Sequence, residues 1–267
     1  MYIGVDIGAS KTLVASFSAP ESMLESEKFK TPTEPGQLIT SVFETIAKLA
    51  GGTAVNGLGI AVPGYYHDGL FTNTTTLNWQ SVPLHDMVKS HCSYPFKIAN
   101  DAVLGGLAEA RIGHGQDCIN LLYITISTGV GTSIIIDGQI PEFIPGSEGG
   151  HMIANRGEKP QTWEELISGT AFKRRFGKFG YEVSDPAIWD TYASDLASCI
   201  YNMAALIEPN RVVLSGGMAV HFDRFQAALN THLAALHDGV FPLPEVKVAK
   251  YPELAPVYGC AIIAGEA

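Results

Sequence analysis

One pattern occurs twice in this chain and limits what it can fold into: an aliphatic run, a turn of small residues, and a second aliphatic run. The first copy is "YIGVDIGASKTLVASF", Tyr2 to Phe17, and the second is "NLLYITISTGVGTSIIIDG", Asn120 to Gly138. Val, Ile, Leu and aromatic runs favour strands, whereas Gly, Ala and Ser between them favour a turn. Each copy therefore reads as a β-hairpin with small residues at its tip. Two such hairpins more than a hundred residues apart predict a duplicated α/β fold whose halves face each other across a cleft.

The tips narrow the chemistry. A P-loop needs Gly-x-x-x-x-Gly-Lys-Ser/Thr running into a helix, but Gly8 stands three residues before Lys11 and a strand follows. Two readings of the first hairpin remain open, a plain structural turn and a phosphate-binding turn. In the second, small residues let backbone N–H groups approach phosphate oxygens, Asp6 holds a hydrated Mg²⁺, and Lys11 or Thr12 adds a donor. The second tip, Ser127 to Thr132, again presents hydroxyls and glycines. The recurrence favours a nucleotide site.

Composition removes other classes. At 267 residues with 46% hydrophobic content the chain can bury a large core. Its aliphatic runs are interrupted by Ser, Thr and Gly, and Asp6 stands where a signal peptide would be apolar, so a cytoplasmic protein with no membrane partner is expected. A net charge of −10 argues against a nucleic-acid partner. The one basic stretch, "FKRRFGKFG" from Phe172 to Gly180, reads as a solvated helix end. Four scattered cysteines, Cys92, Cys118, Cys199 and Cys260, without a C-x-x-C pair read as reduced thiols.

Between the hairpins, "TEPGQLITSVFETIAKLAGG" has helical apolar spacing and a terminal glycine pair. Gly57 to Val62 reads as a buried strand ending at Pro63-Gly64, and Phe96 to Ala99 as a strand leading through Asn100-Asp101 into a helix. Asp101 at this junction can serve as a base or as the helix cap; both readings stand on the residues alone. Farther on, Ser215-Gly216-Gly217-Met218 follows a strand and opens a helix, whose small residues allow a flat or anionic group to approach. A helix over 190–208, another over 222–236, a strand over 245–250 and a terminal helix over 257–264 complete the reading.

These segments in this order resemble the ROK family of sugar kinases and repressors, within the actin-like ATPase superfamily. The resemblance rests on "DIGASKT", Pro63-Gly64, Trp79 to Leu84, "NDA" at Asn100, "STGVGT", "GSEGGHM" at Gly146, "EELISGTA" at Glu164 and "LSGGMA". It implies a two-lobed actin-like (ribonuclease H-like) α/β fold with a central cleft, its lobes 1–100 plus 256–267 and 101–255. It further implies an ATP-dependent kinase in which Asp101 acts as base on the attacking sugar hydroxyl. Gly64, Asn78, Asn100, Asp101, Glu148, His151 and Glu164 would contact the sugar. Asp6, Gly8, Lys11, Thr12, Thr128, Gly129, Gly131, Thr132, Gly216 and Gly217 would hold ATP, with Asp6 reaching Mg²⁺ through the nucleotide. Glucose is the first expected substrate, an N-acylhexosamine such as N-acetylmannosamine the alternative, and a homodimer the expected assembly.

Three departures qualify the match. Many relatives follow the histidine with a cysteine-rich zinc motif, whereas "MIANRGEKPQTW" after His151 has no cysteine, so zinc is not expected and Trp163 is the candidate to pack this loop. Ala9 replaces a glycine of the first turn, and Thr75 stands where many relatives have an asparagine. Family regulators carry a helix-turn-helix ahead of the first hairpin, which here begins at Tyr2, so a kinase rather than a sugar-responsive regulator is expected.

Overall fold

Because nearly every residue of the first hairpin is apolar or small, its strands sink into a core. β1 (Tyr2–Ile7) and β2 (Lys11–Ala19) pair antiparallel, Asp6 opposite Leu13. The computed structural model describes residues 1–73, 77–144, 146–155 and 160–267. Two units make up the chain, Met1–Ala108 with Leu254–Ala267, and Glu109–Glu253. Thr75 lies outside the described residues.

In the first unit β2 continues into β3 (Ser22–Lys30), a strand absent from the sequence-based reading. Its sequence, SMLESEKFK, is mostly exposed. An edge strand needs few apolar residues, and lysines discourage further pairing there. After α1 (Pro35–Ala50), closed by Gly51 in a left-handed conformation, comes the buried strand β4 (Gly57–Val62). A small antiparallel sheet follows, β5 (Tyr65–His67), β6 (Leu70–Asn73) and β7 (Trp79–Val82), then α2 (Leu84–Lys89), β8 (Phe96–Asn100) and α3 (Asp101–Ile112). The main sheet has the order β3-β2-β1-β4-β8, with β1, β4 and β8 parallel. Leu38, Ile39, Val42 and Ile46 of α1 join Ile3, Val5 and Ile60 in one buried cluster.

The second unit repeats this plan. β9 (Asn120–Ile126) and β10 (Val130–Ile136) form the second hairpin, followed by the ribbon β11 (Ile153–Asn155) and β12 (Pro160–Thr162). Then come α4 (Trp163–Ile167), α5 (Gly169–Phe176), α6 (Pro186–Ile207), β13 (Arg211–Ser215), α7 (Phe222–Leu236) and β14 (Glu245–Val248). Its sheet runs β10-β9-β13-β14, with β13 parallel to both neighbours. Trp163, Trp189, Tyr192, Phe172 and Phe225 fill its core, each contributing roughly 1.5–3 kcal/mol of burial. Trp163 is fully buried, its backbone N–H donating to the Met152 carbonyl at 2.9 Å.

The last helix, α8 (Ala255–Gly265), belongs to the first unit. Val257 and Ala261 pack on Leu13, Ala15 and Phe17. The approach to β4 is so close that a methyl group at Gly59 would run into the Cys260 carbonyl.

Two local readings are corrected. Ser215 to Met218 does not open a helix directly: a 3₁₀ turn, Ala219–His221, intervenes before α7. The basic segment is not simply a solvated face. Arg175 pairs with the buried Asp195 at 2.7 Å and donates to the Leu166 carbonyl, while Arg174 donates to the Glu165 carbonyl. All four cysteines are free thiols, and no described helix is long and apolar enough to cross a membrane.

Candidate active site

In the first unit the candidate residues gather at the C-terminal ends of the parallel strands. Asp6 pairs with Ala61 of β4, Ala61 with Ala99 of β8, and Asp101 follows two residues later. Asp6 and Asp101 are near enough to repel: burial pushes the Asp6 carboxyl up to about 7, the Asp101 charge adds to the rise, and Lys28 opposes it. Lys28 shares this face because it pairs with Leu13, the partner of Asp6.

Asn100, one residue earlier, caps α3. Its Oδ1 accepts from the N–H groups of Ala102 at 2.9 Å and Val103 at 3.2 Å, and its Nδ2 donates to the Gly64 carbonyl at 3.0 Å. The cap is thus supplied by Asn100, and Asp101 occupies the first helical position, its Oδ1 accepting from Ala102 at 2.8 Å. Gly64 needs its φ of 114°, and a methyl there would lie 2.8 Å from the Thr72 carbonyl. Asn73, not singled out in the sequence, braces the same turn by donating to the Pro63 carbonyl at 2.7 Å and accepting from Leu77 at 3.1 Å. Asn78 is exposed, with φ of 55°.

The first turn is held from behind by Thr31. Its hydroxyl donates to the Gly8 carbonyl at 2.8 Å and its N–H to the Ser10 carbonyl at 3.1 Å. Thr12 is fully buried with its hydroxyl 3.0 Å from that of Thr31, so it serves this brace and not the exposed tip. Lys11 is exposed at the tip. Gly8 N–H donates to the Lys11 carbonyl at 3.0 Å. Among the described residues, the next two N–H groups, of Ala9 and Ser10, have no protein acceptor.

The second turn is braced by α4 and α5. Glu164 Oε2 accepts from Val130 N–H at 3.0 Å, Gly169 N–H donates to the Ser127 carbonyl at 2.7 Å, and the Thr170 hydroxyl to the Thr128 carbonyl at 2.8 Å. Thr162 and Glu165 close the start of α4 in a reciprocal capping box, which sets where Glu164 projects. The N–H groups of Thr128 and Gly129 again lack a protein acceptor among the described residues. Gly131 continues into β10, and Thr132 is buried, its hydroxyl 2.6 Å from that of Ser147 and accepting from Gly149 N–H at 2.9 Å. That contact anchors the segment bearing Glu148 and His151, both exposed and 3.9 Å apart.

Beside the second turn is a cavity of about 580 Å³, lined by Ser127, Thr128, Lys173, Phe179, Tyr181 and Gly217, among others. The Phe179 and Tyr181 rings stack at 5.5 Å, and the Lys173 ammonium lies 4.0 Å from the Phe179 centroid. Gly217 leaves open space here, and Gly216 holds φ of 81° with its N–H on the Pro252 carbonyl at 2.8 Å. The sequence-based reading took Phe179 as part of a solvated basic segment and did not single out Tyr181, which follows that segment. Thr31 carries no local signal, and Gly169 and Thr170 stood within the EELISGTA motif without a role of their own. No group of three or more His, Cys, Asp or Glu among the described residues is arranged to hold a metal ion.

The comparisons with known proteins agree with one another. An N-acetylgalactosamine kinase of a Shewanella species is 27% identical over 98% of this chain and 96% of its own. A glucokinase of Halalkalibacterium halodurans is 25% identical over 92% of this chain and 87% of its own. Among solved structures, a ROK family glucokinase from Streptomyces griseus, in complex with glucose and AMPPNP, superposes with a TM-score of 0.83 at 22% identity, covering 100% of this chain and 99% of that one. The two-unit α/β architecture is accordingly the actin-like ATPase fold that the sequence predicted. A family model described as ROK family matches residues 2–267, and the chain belongs to the ROK family.

Proposed function

We propose that this protein is an ATP-dependent sugar kinase that transfers the γ-phosphate to a hydroxyl of a hexose, with glucose as the first candidate. The observation that carries this reading is the pair of glycine turns, each offering two consecutive backbone N–H groups without a protein acceptor among the described residues. Consecutive N–H groups of this kind form a concavity for anions. Phosphoryl transfer needs positioning and charge stabilisation more than covalent help.

Asp101 fits the base because Asn100 has taken over the helix cap. It would accept the proton of the attacking hydroxyl as that oxygen bonds to phosphorus and the bond to the nucleoside diphosphate breaks. Asp6, a carboxylate raised by burial and by Asp101, fits a partner for hydrated Mg²⁺, a hard cation that takes oxygen ligands and keeps its waters. The ion, when bound with the nucleotide, would offset phosphate charge. In the second unit, Glu148, His151 and Glu164 would supply donors and acceptors of the kind a polyol needs. The cavity bearing Phe179 and Tyr181 is of nucleoside size, which supports ATP over polyphosphate as donor.

An N-acylhexosamine is the second reading, favoured by the hexosamine kinase that aligns with nearly the whole chain. ADP release measured over glucose, fructose, N-acetylmannosamine and N-acetylgalactosamine, with ATP or polyphosphate, tests both. The expected result is ATP-dependent turnover with glucose highest in kcat/KM. A preference for the acylated sugars selects the second reading, and no turnover with any sugar overturns the proposal.

A further inference from the structure

Glu164 stands where two tasks meet. Its Oε2 accepts from Val130 N–H at 3.0 Å in the second turn, whereas its Oε1 has no hydrogen-bond partner among the described residues. The side chain is partly exposed. Gly129, next in the turn, is packed against it, so that a methyl group there would collide with Oε2. The same α4–α5 segment holds the Ser127 and Thr128 carbonyls, which leaves the Glu164 carboxylate as the only charged member of the brace among the described residues.

The geometry points to Glu164 as a positioning residue that links sugar recognition to the phosphate turn. This rests on the kinase reading above. A sugar hydroxyl donating to Oε1 would hold the carboxylate in the orientation in which Oε2 fixes Val130 N–H. The Thr128 and Gly129 N–H groups then stay directed at phosphate. Sugar and nucleotide should therefore bind with positive coupling, the same factor in either order of addition. A carboxylate that only read the sugar would leave nucleotide affinity alone. One that only braced the turn would not transmit the presence of sugar.

The variants separate these cases. In Glu164→Gln the amide oxygen can still accept from Val130, but its NH₂ then faces the sugar and accepts nothing. In Gly129→Ala the methyl displaces the carboxylate, and in Gly129→Ala/Glu164→Ala the collision is gone. The experiment is calorimetric titration of ADP with Mg²⁺, with and without saturating glucose, and in parallel with N-acetylmannosamine. Wild type should bind ADP about 5-fold to 30-fold more tightly with sugar present. Glu164→Ala and Gly129→Ala should each weaken ADP binding by about tenfold without sugar and abolish the coupling. Glu164→Gln should restore ADP affinity without restoring the coupling, and the double variant should lose much less than the product of the singles.

Unchanged ADP affinity in both single variants, or penalties that multiply in the double, overturns the linkage while leaving the kinase reading intact. A wild type that binds no ADP overturns that reading as well. Should Glu164→Ala fail to fold, as judged by its thermal transition, Glu164→Gln and Gly129→Ala still decide the matter.

Discussion

The two glycine turns have the same plan and different braces. The first is held by threonines: Thr31 on the Gly8 and Ser10 carbonyls, and Thr12 buried against Thr31. These groups are neutral, largely buried, and spent on one another. The second is held by a helical segment in which a partly exposed carboxylate, Glu164, keeps one oxygen open among the described residues. A shared hairpin plan therefore does not make equal turns. A neutral buried brace can only stabilise its turn, whereas a charged and partly open one can respond to a ligand.

The strongest way to sharpen this contrast is to disable chemistry while leaving both braces in place. Asp101→Asn should lower kcat by about 10²-fold to 10⁴-fold, as expected for loss of a general base, with ADP affinity and thermal stability near wild type because Asn100 still caps α3. Asn100→Ala is the counterpart, expected to cost about 1 kcal/mol of stability through the lost cap. Near-normal turnover in Asp101→Asn would remove Asp101 from the chemistry.

Next in size is the charge beside the first turn. The folded-state pKa of Asp6, about 7, exceeds its ordinary value of 3.8, so between these values the folded chain holds a proton that the unfolded chain has released. Stability should fall as pH rises from about 4 to about 7, and Asp6→Asn should abolish that loss. Allowing for the partial exposure of Asp6, the variant should gain on the order of 2 kcal/mol over wild type at pH 8 and little at pH 4, while losing Mg²⁺-nucleotide affinity. Denaturant unfolding at the two pH values checks the sign; equal gains at both would remove the titration from the account.

The smallest effect breaks the neutral brace. Thr31→Val removes the hydroxyl bonds to Gly8 and Thr12 and should cost about 1 kcal/mol. Nucleotide binding should weaken a few-fold, and the coupling between sugar and nucleotide should survive. Loss of that coupling in Thr31→Val would mean that the two braces act alike.

The local elements were legible in the chain because their causes are local. Runs of β-branched residues broken by Gly, Ala and Ser foretold both hairpins, and helical spacing ending in Gly51-Gly52 foretold α1. Motif order carried the family. The edge strand Ser22–Lys30 was illegible because a strand with one free edge and mostly exposed side chains needs no apolar pattern. The basic segment misled for the opposite reason, since charge along a helix says nothing of the buried Asp195 that will pair with Arg175.

What the sequence by itself determined is the duplicated hairpin plan, the strand-to-helix placement of Asp101 and the small residues of three turns, since each depends on neighbours a few positions apart. Only the tertiary structure decided that Asn100 rather than Asp101 caps α3 and that Thr12 is buried behind its turn. It also decided that Thr31 braces Gly8 from 23 residues away, that Glu164 reaches Val130 across 34, and that burial beside Asp101 lifts Asp6 to about 7. Hydrogen-bond partners and desolvation are set by what packs against a group, and packing joins residues whose separation along the chain carries no signal of their contact.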